Sequence, residues 1–318
     1  MTSKRDFVAE IKARHARGRW HPTSAPLRLT HIRFALEAVP EEEDELLRYF
    51  PIALVATIEG FFREAITALV DAGPPFLDNL LRSPFGKEQR FDLSILAAVA
   101  GRQVTVGELV ANLLPLKSLR QVGGTITSIC GSDFLSDVRT VYDRAAVEID
   151  GSPPSPILSD PDAILADVTA AFEYRHIYAH ELADSHPLAR KQASSFLTSV
   201  SQFLTASAEV ISNTVYPNSP LTQAAMTDAA RVDYDNTNRE LTSVFAQLLA
   251  TVDAERASMF RAAQDAWLVF RDHHGRCEGS FGAGGSIEPM LTYGALRATT
   301  ERRVAELRDS LRFESIVR

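Results

Sequence analysis

Two histidines and an arginine stand close together in the run Phe172-Glu173-Tyr174-Arg175-His176-Ile177-Tyr178-Ala179-His180-Glu181. Histidine is the side chain that takes or gives a proton near neutral pH. Arginine offers a fixed fork of N–H donors that matches a phosphate. Those abilities suit one reaction in particular, the cutting of RNA by its own 2′-hydroxyl, which attacks the adjacent phosphorus. That reaction needs a proton acceptor at the hydroxyl, a proton donor at the leaving 5′-oxygen and a cation beside the crowded phosphorus. His180 fits the proton transfer and Arg175 the phosphate, while His176 would orient the phosphate or act as a second proton site. Positioned acid–base groups contribute about 10²–10⁴-fold, and charge stabilisation adds a comparable factor. The expected products carry a 2′,3′-cyclic phosphate and a 5′-hydroxyl.

On a helix His176 and His180 share a face, with Arg175 on its flank. The same spacing would let the two imidazoles hold one metal ion, but no third ligand is evident in the sequence, so neither metal nor cofactor is expected. Tyr174 and Tyr178 flank the motif and suit either stacking on bases or simple packing. The plainer alternative is a structural helix whose Arg and His pair at the surface with Glu173, Glu181 and Asp184.

The elements that position this run can be read from periodicity and breakers. A loop from Gly151 to Asp160 contains Pro153, Pro154 and Pro156, and Asp160-Pro161-Asp162 then forms a helix start. Apolar residues Ile164, Leu165, Val168 and Phe172 carry that helix into the motif. Upstream, apolar positions 54, 55, 58, 61, 62, 65, 66 and 69 predict an amphipathic core helix over 52–70, ended by Gly73-Pro74-Pro75. Glu59 and Arg63 on it could project toward the same cleft and contact substrate. Pro40 with Glu41–Glu45 reads as another helix start. Within 76–149 the candidate helices are Asp92–Ala100, Val106–Leu113 and Asp133–Ala146, and a long helix follows His186-Pro187 to about Asn213. Residues 74–160 carry no functional reading of their own. No segment has a strand period, so the fold class is all-α.

Tyr216-Pro217-Asn218-Ser219-Pro220 marks a domain boundary, giving domains 1–217 and 218–318. The second reads as helix, helix, Gly-rich loop, helix. Its loop Phe281–Ser286 lacks the Gly-Lys-Ser/Thr of a phosphate-binding loop. Trp267, Leu268, Phe270 and Phe260 are expected to build a core, Arg271-Asp272 an ion pair, Gln264 and Asp265 a solvated face, and His273-His274 a helix end.

A formal net charge of −8 argues against broad, non-specific nucleic-acid binding but leaves room for a local basic groove. Lys4, Arg5, Lys12, Arg14, Arg17, Arg19, Arg28 and Arg33 form a basic N-terminal arm that reads as RNA-facing, partner-facing or merely solvated. Cys130 and Cys277 make no disulfide framework and have no metal-ligand spacing. Charges at Lys4, Arg5, Asp6, Glu10 and Lys12 interrupt any apolar signal core, and no apolar run would span a bilayer. A cytoplasmic protein with no membrane partner is expected.

Arg175-x-x-x-x-His180 resembles the active-site signature of the HEPN superfamily (higher eukaryotes and prokaryotes nucleotide-binding), although His176 stands where that family often has Asn. The resemblance implies a helical bundle that dimerises so that two motifs face one cleft, here with a helical insertion over about 74–160. It also implies a metal-independent endoribonuclease of toxin–antitoxin or phage-defence type, with RNA as substrate and an antitoxin or regulatory protein as a further partner. The alternative is a non-catalytic bundle that binds RNA or protein.

The C-terminal domain carries a second resemblance, in Thr222-Gln223, Met226, Asp235, Asn238, Glu240-Leu241, Phe245, Gln264, Trp267, Phe270-Arg271-Asp272, Cys277, Gly284-Gly285-Ser286, Met290, Thr300, Arg303 and Leu307. These look like the LprI-like family, described through periplasmic lysozyme inhibitors. Such proteins are usually exported and carry several paired cysteines. Here Cys277 stands alone, with Ala229-Ala230 and Gly294-Ala295 where partners would be expected. The resemblance therefore implies a smaller helical domain reused for partner recognition or regulation, rather than a lysozyme inhibitor.

Overall fold

The computed structural model describes residues 6–16, 24–40, 44–181 and 186–317. Lys4, Arg5, Arg17 and Arg19 of the basic arm, Glu41–Glu43 and Asp184 lie outside them. The chain divides into two compact units, residues 1–217 and 218–318. Every extended element among the described residues is a helix, and the nearest approach to a strand is an isolated bridge between Tyr142 and Pro156.

The first unit contains α1 (Phe7–Ala16), α2 (Ser24–Ala38), α3 (Asp44–Leu47), α4 (Tyr49–Asp71), α5 (Phe76–Arg82), α6 (Pro84–Glu88), α7 (Leu93–Ala100), α8 (Val106–Leu113), α9 (Leu119–Cys130), α10 (Phe134–Thr140), α11 (Arg144–Glu148), α12 (Pro161–His180) and α13 (Arg190–Val215). Helix α4 is its axis. Leu54, Val55, Ile58, Phe62, Ile66 and Leu69 recur every three or four residues and are wholly buried. They pack against α12 and α13 on one side and α8 on another. Phe62 meets Phe61, Phe134 and Phe203 at ring-centroid distances of 5.0, 5.7 and 5.8 Å, a geometry favoured by aromatic quadrupoles. Helix α8 lies close against α4 because residue 107 is glycine: a Cβ there would come within 2.4 Å of the Thr67 carbonyl oxygen.

Helix α8 opens on a reciprocal capping box, with Thr105 Oγ1 accepting from the Glu108 amide and Glu108 accepting from the Thr105 amide. The helix expected over Asp133–Ala146 forms instead as α10 and α11. Val141 is extended, its carbonyl accepts the Ile157 amide at 2.9 Å, and Asp143 caps a fresh start through the Ala146 amide. Pairing with the 156–157 segment therefore outcompetes continued helix. Helix α9 ends on Gly131 at φ +81°, a left-handed position that glycine adopts without strain.

The second unit is a bundle of α14 (Gln223–Thr251), α15 (Ala254–Gly279) and α16 (Glu288–Val317). Leu241, Val244, Leu248, Val304 and Leu307 form its apolar core, with Phe245, Phe260 and Trp267 packed against it. Three expectations for α15 are corrected. Gln264 is buried rather than solvated, because it lies in phase with Trp267 and Arg271 on the inward face. Phe270 is out of phase with them, 55% exposed, and stacks on His274 at 5.6 Å. The helix runs on past His273-His274 to Gly279, since Gly275 packs against Leu296 instead of ending it. The Arg271–Asp272 ion pair forms at 2.9 Å. The Gly-rich loop contains one 3₁₀ turn, Ser280–Gly282, and a left-handed Gly284. No helix among the described residues is long and apolar enough to cross a membrane.

Candidate active site

Helix α12 delivers the Arg175–His180 run. It begins where the sequence places it: Asp160 accepts the Ala163 amide at 3.1 Å, Pro161 occupies the first turn, and Asp162 pairs with Arg139 at 2.6 Å. Ile164, Leu165, Val168, Ala171 and Phe172 are buried, which fixes the rotation of the helix and so the direction of its last two turns. Asp167 clamps α12 to α13, its Oδ2 accepting from Ser195 Oγ at 2.6 Å and Ser199 Oγ at 2.7 Å.

That rotation separates the motif into two faces. Tyr174 and Tyr178 turn toward the core. Their rings meet edge to face at 5.6 Å, and Tyr174 packs on Phe196 at 5.4 Å and His186 at 4.9 Å. Both hydroxyls are occupied, that of Tyr178 donating to the His186 carbonyl at 2.9 Å and that of Tyr174 bonding Gln192. Burial raises the Tyr178 phenol above its usual range, Tyr174 adds to this, and Arg48 over the ring at 5.8 Å opposes it. Of the two roles open to the tyrosines in the sequence, packing is the one their surroundings describe, and neither borders the cleft on the other face of the helix.

The other face borders a cleft of about 1730 Å³ lined by Glu59, Arg63, Arg175, His176 and His180, among others. The structure thus gathers five of the seven residues singled out by sequence. The imidazoles of His176 and His180 lie 5.2 Å apart, centroid to centroid. Arg175 Nη2 is 3.8 Å from Glu59 Oε1 across the α4–α12 contact, and both side chains are partly shielded. A carboxylate at that distance restrains the guanidinium while leaving its other N–H groups for a ligand. Arg63 is more committed, because its Nη1 donates to the Ala111 carbonyl at 2.9 Å and ties α4 to the end of α8.

Much of the remaining lining comes from the segment that carries no functional reading in the sequence. Asn112, Lys117, Ser118, Arg120, Gly123, Gly124 and Asp133 all border the cleft. Nothing in their spacing announced this, since only the fold brings the α8–α9 connection to the same cleft as α12. Among the described residues no group of three or more histidine, cysteine, aspartate or glutamate side chains converges as a metal site.

In the second unit, positions that carry the family resemblance come together. Two guanidiniums lie over the Trp267 ring, that of Arg271 at 5.5 Å and that of Arg303 at 5.8 Å. Arg271 also faces Tyr234 at 5.5 Å and donates to Asn238 at 2.9 Å, and Arg303 donates to Gln264 at 3.1 Å. These are packed, mutually satisfied groups, and they describe a core rather than an open site.

Comparison with known proteins bears on this second unit. Residues 217–307 match the family described as Lysozyme inhibitor LprI, so the C-terminal unit is LprI-like. The chain is also similar to an uncharacterized protein of Rhizobium meliloti (strain 1021), 44% identical over 66 residues, which cover 19% of this chain and 46% of that relative. The chain therefore spans less than half the length of the curated relative it matches. No solved structure matches it.

Proposed function

We propose that the N-terminal unit is a HEPN-type endoribonuclease, acting without a metal as a toxin or phage-defence effector in the cytoplasm. The observation that carries this reading is the single cleft shared by Arg175, His176 and His180, with Glu59 behind the arginine. In it His180 moves the proton, Arg175 holds the phosphate and His176 supplies a second proton site or orients the phosphate. A dimer of the unit would bring two such motifs to one substrate. The LprI-like unit serves as the recognition or regulatory module, the place for an antitoxin-like or other protein partner.

The chemistry is tested by the ends it leaves. A mixed RNA pool and total tRNA, incubated with the protein in EDTA, should give fragments ending in 2′,3′-cyclic phosphate and 5′-hydroxyl. A matched oligonucleotide with 2′-deoxy sugars should stay intact. Cleavage of the deoxy strand, or a requirement for added metal, would refute the mechanism. RNA binding without cleavage would favour a non-catalytic binding bundle.

A further inference from the structure

The cleft has a cationic wall that the proposed chemistry does not use. Lys117 and Arg120 flank Ser118, the N-cap of α9, and both border the same cleft as Arg175 and His180. Both are exposed, and neither side chain has a hydrogen-bond or ion-pair partner among the described residues. This contrasts with Arg175, restrained by Glu59, and Arg63, held by the Ala111 carbonyl. Of the carboxylates on the lining, Glu59 is occupied by Arg175 and Asp133 caps α10 through the Ser136 amide. Glu173 remains exposed, two positions before Arg175. Beyond the two cations the backbone is open at Gly124, where a Cβ would meet nothing within 4 Å, whereas the Leu135 side chain closes over Gly123, where a Cβ would come within 2.7 Å of it. Two free cations beside the open Gly124 backbone, on the lining of the cleft that also holds Arg175, His176 and His180, make a track for a second and third phosphate of one strand.

We propose that Lys117 and Arg120 form a phosphate-binding lip that positions the RNA backbone in the cleft that also holds His180, giving the 74–160 segment a role in substrate binding. This rests on the nuclease reading for its ligand but not for its test. Neither residue is catalytic; both are positioning residues that act on the strand next to the reacting phosphate. Each phosphate contact to a single strand steepens the dependence of log K on log salt by about 0.7, so loss of a contact lowers both affinity and slope.

The test is binding of a fluorescein-labelled 12-nucleotide mixed-sequence RNA to the full-length chain, read by anisotropy from low to moderate salt. His180→Ala serves as host, so that no strand is cut during the titration. Adding Lys117→Ala and Arg120→Ala together should weaken binding about tenfold at low salt and lower the slope by about 1.4. Lys87→Ala, exposed and away from the cleft, should change neither, and Glu173→Gln should tighten binding. An unchanged Kd and slope in the double variant, or no RNA binding by the host, overturns the proposal. If wild type cuts RNA, the Lys117→Ala/Arg120→Ala pair leaves Kd and slope unchanged in the His180→Ala host, and the same pair placed in the wild-type chain cuts as well as wild type, the lip is refuted and the nuclease stands. If the double variant loses affinity and slope while wild type cuts nothing, the lip stands and the nuclease reading falls.

Discussion

Removing the Asp167 carboxylate should loosen the helix that carries the site, by an amount the geometry bounds. Asp167 Oδ2 accepts from two hydroxyls of α13, at 2.6 and 2.7 Å, and Ser199 is only 5% exposed. Hydrogen bonds to a charged group contribute about 1.5–3 kcal/mol each when well shielded. Because Ser195 is exposed, about 1–1.5 kcal/mol per bond is the appropriate scale. Asp167→Ala should therefore cost about 2–3 kcal/mol, which lowers Tm by about 4–12 °C in a unit of this size. Ser195→Ala with Ser199→Ala should cost a similar amount, and all three substitutions together little more, leaving a coupling of about 2 kcal/mol in the cycle. Circular dichroism melting gives the Tm, denaturant titration the free energies, and hydrogen exchange shows whether the loss falls on α12 and α13. A coupling below about 0.5 kcal/mol, or exchange that rises elsewhere, would refute the clamp.

Trp267→Ala in the second unit should cost about 2–3 kcal/mol, less than a fully buried indole because Trp267 is only half-buried. Hydrogen exchange in α14–α16 of the full chain should show the loss, with Trp267→Phe recovering much of it. Cys130 is pushed up to about 11 by burial, with Asp137 adding to the shift, so only about one thiol in a thousand ionises at pH 8. A thiol reagent should label exposed Cys277 quickly and Cys130 slowly. The raised value means that the folded chain holds this proton more tightly than the unfolded chain. The stability it contributes is complete below pH 9 and declines as pH rises toward 11, a loss that Cys130→Ser should abolish in pH-dependent denaturant titrations.

Local rules were legible where one element decides its own outcome. The 54–69 periodicity gives α4, Asp160-Pro161 starts α12 and Val106–Leu113 is α8 to the residue. They failed where a neighbour decides. Val141 leaves the helix to pair with Ile157, and Gly275 stays in one because Leu296 packs on it. Gln264 and Phe270 exchanged their expected environments because composition says nothing about which face of α15 meets α16. The same limit applies at the site. Arg175, His176 and His180 declare themselves by type and spacing, and Glu59 by helical phase. Lys117 and Arg120 do not, since two cations beside a helix start line a cleft only when the fold brings the α8–α9 connection and α12 to it together.

The central claim is that the cleft on α12 cuts RNA, and it is tested most directly by comparing wild type with Arg175→Ala and His180→Ala on total tRNA and mixed RNA in EDTA. Circular dichroism would first establish that all three proteins fold alike. We expect cleavage by wild type alone, with each substitution costing at least the 10²-fold scale of positioned acid–base or electrostatic catalysis. Equal cleavage by all three folded proteins, or none by wild type on any RNA offered, would contradict it.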